Sequence, residues 1–203
     1  MQRLGLFGGT FNPPHKGHIY IAREAMRLAN LQKMLFIPCG TPPHKEVWGN
    51  VDKKHRLSMT KLAISGYNDF EVSDIEIMSE DKSYTVNTLE KLTKIYPDVA
   101  LCFVVGGDSL RDMEDWYHPE KIFGLSEIIA LNRGGIDREV FQKSADFYRK
   151  KYDAKITEVD ISPMEVSSSD IRKKLILGED VSDLVPCGVL EYIEKFKLYR
   201  DNV

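Results

Sequence analysis

Strand-sized apolar runs alternate with helix-period segments along almost all of the 203 residues. Leu4–Phe7, closed by Gly8-Gly9, reads as a strand, as do Met34–Pro38, Phe70–Ser73, Leu101–Val105, Ile128–Leu131 and Ile156–Val159. Between them, His18–Asn30, Lys53–Ser65, Thr85–Tyr96 and Arg138–Tyr152 read as helices, with Ser169–Leu177 and Val189–Tyr199 as a helical tail. The first helix turns His18, Ile21, Ala22, Ala25, Leu28 and Ala29 inward and Tyr20, Arg23, Glu24 and Arg27 outward. Thr85–Tyr96 buries Val86, Leu89, Leu92 and Tyr96 and is stopped by Pro97. Leu101–Val105 is apolar throughout, as a strand buried on both faces must be. This alternation predicts an α/β protein with a Rossmann-like, doubly wound parallel sheet and C-terminal helices. No repeat, low-complexity tract or linker interrupts it, so residues 1–203 are expected to form one domain.

The charge balance narrows the partners. Lys+Arg 28 against Asp+Glu 31 gives a net charge of −3, short of the basic excess a general nucleic-acid binder uses against phosphates. A small phosphorylated ligand, held by a local basic cluster, remains compatible. No run approaches the roughly 18 apolar residues that span a bilayer, and the start of the chain does not read as a signal peptide. Cys39, Cys102 and Cys187 are too far apart in sequence to suggest a metal or redox pair, as expected of reduced thiols in a cytoplasmic protein. Association with copies of itself is left open.

In a doubly wound sheet, ligands gather beyond the carboxyl ends of the strands. The informative residues cluster there: Gly8–His18, Gly40–Lys45, Gly106–Asp108 and the loop before Ser169. Gly8-Gly9-Thr10-Phe11-Asn12-Pro13-Pro14-His15-Lys16-Gly17-His18 places two imidazoles at a helix entrance, where amide N–H groups and the helix dipole suit an anion. A bare HxxH reads more readily as a Pro/Gly-rich turn with surface histidines, but the strand, the paired glycines, the hydroxyl and the helix start favour phosphate. Walker A and GxGxxG fingerprints are both missing, so phosphate needs another device. Ser167-Ser168-Ser169 open a helix with Arg172 one turn in, which reads either as a well-capped helix or as hydroxyls and a guanidinium for a triphosphate. Asp108 reads as a helix cap or as an acceptor, Trp116 as core or as a stacking surface, and Thr85 as a helix start with N–H groups to offer. His44 and Lys45 are a solvated pair or a phosphate anchor, Arg133 could approach a base, and His55 and His118 lack any supporting pattern.

Gly8-Gly9-Thr10-Phe11…His15-x-Gly17-His18 resembles the (T/H)xGH signature of the nucleotidyltransferase α/β-phosphodiesterase superfamily, and Val166–Arg172 resembles its second signature, ISSTxIR. With Thr41–Lys45, Ser83-Tyr84-Thr85, Gly107-Asp108 and Trp116, the whole chain is similar to the bacterial nicotinate-nucleotide adenylyltransferases. Two departures stand out: Ser169 where that family usually has Thr, and Gly107 where it often has Ala, a change expected to loosen the turn. The resemblance implies transfer of AMP from ATP to nicotinate mononucleotide, giving deamido-NAD and pyrophosphate. It implies His15, His18, Arg172 and Lys45 as catalytic residues. It implies ATP contacts from Gly8, Gly9, Thr10, Gly106, Asp108 (to the ribose), Ser167, Ser168, Ser169 and Arg172. Phe11, His44, Lys45, Thr85 and Trp116 fall to the mononucleotide. Mg²⁺ is expected to arrive with ATP, since no carboxylate cage for a resident metal is evident. The rival readings are a superfamily member with a nicotinamide mononucleotide, phosphopantetheine or phospho-alcohol acceptor, and a nucleotide-binding sensor without turnover.

Overall fold

The structure, a computed structural model, describes residues 2–42, 48, 51–134 and 136–200. In chain order the elements are β1 (Gln2–Gly9), α1 (Lys16–Leu28), β2 (Lys33–Pro38), α2 (Lys53–Ile64), β3 (Phe70–Val72), α3 (Thr85–Ile95) and β4 (Val99–Gly106). There follow α4 (Gly107–Asp112), a short 3-10 turn at Met113–Asp115, α5 (Pro119–Leu125), β5 (Glu127–Asn132), α6 (Arg138–Tyr152), β6 (Ile156–Asp160), α7 (Ser168–Ile176) and α8 (Cys187–Lys195). The six strands form one sheet in the order β3-β2-β1-β4-β5-β6, the doubly wound arrangement that the alternation predicts. β1, β4, β5 and β6 run parallel in registers that set Leu6 against Phe103, Val105 against Ala130 and Asn132 against Asp160.

Contacts divide the chain into two compact units. The first comprises Met1–Phe7, Ala22–Leu35 and Tyr84–Pro163. Its core is β4, where Leu101 to Val105 are all buried, together with Ile128 to Leu131 of β5. Here α3 packs on α5, and α4 packs on α6 and on β4 and β5. From α3 the core takes Val86, Thr88, Leu89 and Leu92; Tyr96 is only half-buried, because it caps the helix outside the helical stripe. The second unit comprises Gly8–Ile21, Phe36–Ser83 and Met164–Val203. In it α2 packs on α8 and β3, burying Met59, Ala63, Ile64, Val189 and Ile193.

Helix α1 corrects the inward face read from the sequence. Ile19, Ala22, Ala25, Met26 and Ala29 are buried, whereas Leu28 is 40% exposed. Ile19, Ala22, Met26 and Ala29 recur every three or four residues, and Leu28 lies one residue, about 100°, off that line. Helices α4 and α5 span six and seven residues, too short for a period to announce them.

Tyr148 ties the first unit together. Its ring is buried, its hydroxyl donates to the Arg111 carbonyl at 3.1 Å, and it accepts the Glu114 amide at 3.0 Å. α6 thereby fixes the turn that leads out of α4. Tyr148→Phe leaves both groups without their partner and should cost about 1–3 kcal/mol of unfolding free energy in a urea titration. An unchanged midpoint would contradict this tie.

Candidate active site

The loop after β1 brings the Phe11 ring back against the strand end, where a Cβ on Gly9 would lie 3.0 Å from its Cζ. Phe11 has a positive φ of 48°, and its ring is buried against Phe36 at 5.7 Å and edge-on to His18 at 5.0 Å between centroids. Phe11 is thus a floor under His18, with its ring only 2% exposed. His15 is buried too, and its ring stacks on that of His18 at 3.7 Å. Gly17 explains the spacing of the motif: a Cβ there would lie 3.0 Å from His15 Nδ1. Any side chain at 17 crowds the imidazole lying against the helix start.

The His15 amide donates to His18 Nδ1 at 3.1 Å. A ring nitrogen that accepts carries no proton, so the imidazole proton of His18 sits on Nε2, which becomes a donor of fixed direction. The helix entrance is less open than the sequence suggests, because the Lys16 amide already donates to the Leu184 carbonyl at 2.9 Å.

The start of α7 lies against the same loop. Ser167 caps it, accepting the Asp170 amide at 3.1 Å and donating to Asp170 Oδ2 at 2.7 Å. Ser168 donates to the Pro13 carbonyl at 2.9 Å. Ser169 instead accepts from Arg172 Nη2 at 3.1 Å, while Arg172 Nη1 donates to the Asn12 carbonyl at 2.8 Å. The hydroxyl protons of Ser167 and Ser168 are therefore spent inside the protein, whereas Ser169 is exposed and Arg172 half-buried. Burial pushes the Arg172 pKa below its ordinary value.

One residue of this site escaped the sequence reading. Arg56 of α2 is 1% exposed, and its guanidinium donates to the carbonyls of Thr10 at 2.9 Å, Cys39 at 2.5 Å and Gly40 at 3.0 Å. It pins the loop after β1 to the end of β2. The signal in the sequence was an arginine on the line of Met59, Thr60, Ala63 and Ile64, the buried stripe of α2. Ser83 Oγ accepts the Gly40 and Thr41 amides at 3.1 and 3.2 Å, steadying the same strand end. The segment that follows includes His44 and Lys45, which lie outside the described residues. Burial pushes the Cys39 and Cys102 thiols up to about 11, so neither offers a thiolate nucleophile.

In the first unit, β4 runs into α4 with Gly106 as the cap, and no side chain caps it. Asp108 therefore does not cap the helix. Its side chain is 59% exposed, with Arg111 Nη1 at 3.5 Å. A Cβ on Gly107 would meet Ile136 at 2.9 Å, so glycine here permits close packing, a correction to the looser turn expected. Arg133 reaches Gly106, its Nη2 lying 3.9 Å from where a Cβ would stand. Thr85 opens α3, whose cap, Tyr84, bonds through no side chain. Tyr84 packs on Tyr117 at 4.6 Å, which brings Thr85 and Trp116 into one neighbourhood. Trp116 is half-buried, edge-on to Phe103 at 6.1 Å. Among the described residues, no group of three or more His, Cys, Asp or Glu is placed to hold a metal ion, and no helix is long and apolar enough to cross a membrane. His55 bonds through Nδ1 to the Tyr192 hydroxyl at 3.0 Å, and His118 pairs with Glu120 at 2.9 Å.

A strand, a glycine-spaced histidine pair and an arginine-bearing helix start are the parts of a nucleotidyltransferase. A family model described as cytidylyltransferase-like matches residues 6–174, and the chain belongs to that family. Its curated relatives narrow the membership to the nicotinate-nucleotide adenylyltransferases. A protein of Carboxydothermus hydrogenoformans, described as Probable nicotinate-nucleotide adenylyltransferase, is 39% identical over 198 residues, 98% of each chain. One of Clostridium botulinum with the same description is 39% identical over 202 residues, the full length of both. In fold, the chain is similar to Plasmodium falciparum nicotinic acid mononucleotide adenylyltransferase complexed with NaAD. The TM-score is 0.80 at 21% identity, covering 100% of this chain and 99% of that one.

The Arg56 clamp has a measurable consequence. Arg56→Met removes a charged donor from three carbonyls and should cost about 3 kcal/mol or more, since hydrogen bonds to charged groups contribute roughly 1.5–3 kcal/mol each. In a thermal melt that is a fall of about 6–12 °C, with Arg56→Lys in between. Melting of Arg56→Met at the unaltered temperature would contradict the clamp.

Proposed function

We propose that the chain transfers AMP from ATP to nicotinate mononucleotide, giving deamido-NAD and pyrophosphate. Residues 1–203 act in this as one nucleotidyltransferase domain. An oxygen of the acceptor 5′-phosphate attacks the α-phosphorus of ATP in line. The new phosphorus–oxygen bond forms as the bond to the β-phosphate oxygen breaks, and pyrophosphate leaves with that electron pair. A phosphate monoester, with a second pKa of about 6, is already anionic at neutral pH, so no general base is needed. The protein's part is positioning and charge stabilisation.

The observation that carries this reading is the fixed tautomer of His18. Its Nε2–H donates to the α-phosphate, and His15 supports the same group from beside it. Arg172 takes the departing pyrophosphate with Ser169 at its side. Gly8, Gly9 and Thr10 let the main chain approach the phosphates, and Ser167 and Ser168 contribute by holding the cradle. Asp108 accepts from the ribose hydroxyls, with Gly106 leaving room. Thr85 at the start of α3 receives the nicotinate carboxylate, and Trp116 stacks on the pyridine ring. His44 and Lys45 anchor the acceptor phosphate. Mg²⁺ enters as part of the MgATP substrate.

His18→Ala should lower kcat by about 10²–10³, the scale for losing one preorganised donor to developing charge. The fold should survive, with a small drop in melting temperature. A folded variant with ordinary kcat would sink the role.

Acceptor choice supplies the second test, pyrophosphate release with ATP against nicotinate mononucleotide, nicotinamide mononucleotide and phosphopantetheine. A carboxamide turns an NH₂ toward donors at the start of α3 and leaves one unpaired, a mismatch of roughly 1–3 kcal/mol. The nicotinate form should therefore lead in kcat/KM by ten- to a hundredfold. Equal use of both pyridine acceptors would refute the specificity, turnover of phosphopantetheine alone would reassign the acceptor, and no turnover at all would favour a sensor.

A further inference from the structure

Asn12, to which the reaction described above gives no part, lies at the centre of a network that reaches Arg172. It is 3% exposed, and three of its polar atoms have partners. Oδ1 accepts from the Tyr199 hydroxyl at 2.6 Å, Nδ2 donates to the Trp48 carbonyl at 2.9 Å, and the main-chain oxygen accepts from Arg172 Nη1 at 2.8 Å. A second route joins the same residues: the Arg172 guanidinium lies 5.0 Å above the Trp48 ring, and that ring stacks on Tyr199 at 6.5 Å and 22°. Tyr199 thus reaches Arg172 through Asn12 and again through Trp48.

Anchoring the end of the chain does not account for this arrangement. Helix α8 stops at Lys195 and is already held by Val189, Ile193 and the bond from Tyr192 to His55. Tyr199 lies beyond it, 5% exposed, at a positive φ of 64° that a bulky residue rarely adopts. A phenylalanine or leucine would fill the space as well; what tyrosine adds is a buried hydroxyl aimed at Asn12. Burial pushes that hydroxyl's pKa up, so it stays a donor at neutral pH. The arginine it steadies is a long, flexible side chain, which would otherwise have to be ordered when its anion binds.

We propose that Tyr199 is a positioning residue for Arg172: through Asn12 and Trp48 the C-terminal segment holds the guanidinium ready for the triphosphate. The proposal rests on the reading of Arg172 as a triphosphate-binding residue, and the experiment separates the two. MgATP binding, without acceptor, is measured by calorimetry on the full-length protein, Tyr199→Phe, Arg172→Ala and the double variant. Tyr199→Phe should weaken MgATP by about five- to tenfold, the scale of one lost hydrogen bond, and leave nicotinate mononucleotide affinity within about twofold. In the Arg172→Ala background the same change should add less than about twofold. Asn12→Ala breaks the network from the other end and should show the same dependence on Arg172, which keeps the test available should Tyr199→Phe fail to fold. Equal losses in both backgrounds, or an unaltered affinity in Tyr199→Phe, would overturn the proposal while leaving Arg172 in its role. Full MgATP affinity in Arg172→Ala would remove that role and the proposal with it.

Discussion

A single guanidinium, almost wholly out of water, holds the carbonyls of Thr10, Cys39 and Gly40. A buried cation is costly unless it is hydrogen-bonded, and here the bonding partners are main-chain atoms at two strand ends. The loop after β1 owes its path to that constraint. With Thr10 fixed, Phe11 is turned into a left-handed conformation with its ring under His18. The chain then reaches His15, and Gly17 leaves the space in which that imidazole lies.

The site that results spends most of its polar groups on itself. Ser167 caps its helix, Ser168 holds the Pro13 carbonyl, and the Lys16 amide is taken by Leu184. Directed donors remain: His18 through Nε2, and Arg172 with its two amino groups tethered to Asn12 and Ser169. That economy suits phosphoryl chemistry between two anions, where donors fixed in advance lower the barrier without reorganisation. The Cys39 and Cys102 thiols are pushed away from ionisation, in keeping with a reaction that asks for no protein nucleophile.

Much of this was legible in the sequence, for identifiable reasons. The cores of β1, β2, β4 and β5 were marked by apolar runs, whereas β3 and β6 showed only short runs broken by polar residues, and α6 runs from Arg138 to Tyr152 as its period predicts. The histidine motif declared itself through glycines at forced positions. Side-chain commitments were not legible. A hydroxyl at a helix start looks the same whether it caps, tethers or awaits a ligand, and only the partners distinguish Ser167, Ser168 and Ser169. Arg56 drew no reading because sequence patterns count arginine as polar, and its meaning depends on carbonyls distant in the chain. Tyr199 was hidden for the same reason, its partner Asn12 lying 187 residues away. Leu28 was misplaced by one step of helical phase, and the short α4 and α5 had no phase to read.

The central claim is that preset donors steady one direct displacement at phosphorus, with no group of the protein bonded to the nucleotide along the way. The stereochemical course at the α-phosphorus tests it most directly. With ATP carrying a chiral α-phosphorothioate, a single in-line transfer to nicotinate mononucleotide predicts product of inverted configuration. Net retention would require two displacements, and hence an adenylylated protein intermediate, which would contradict the account.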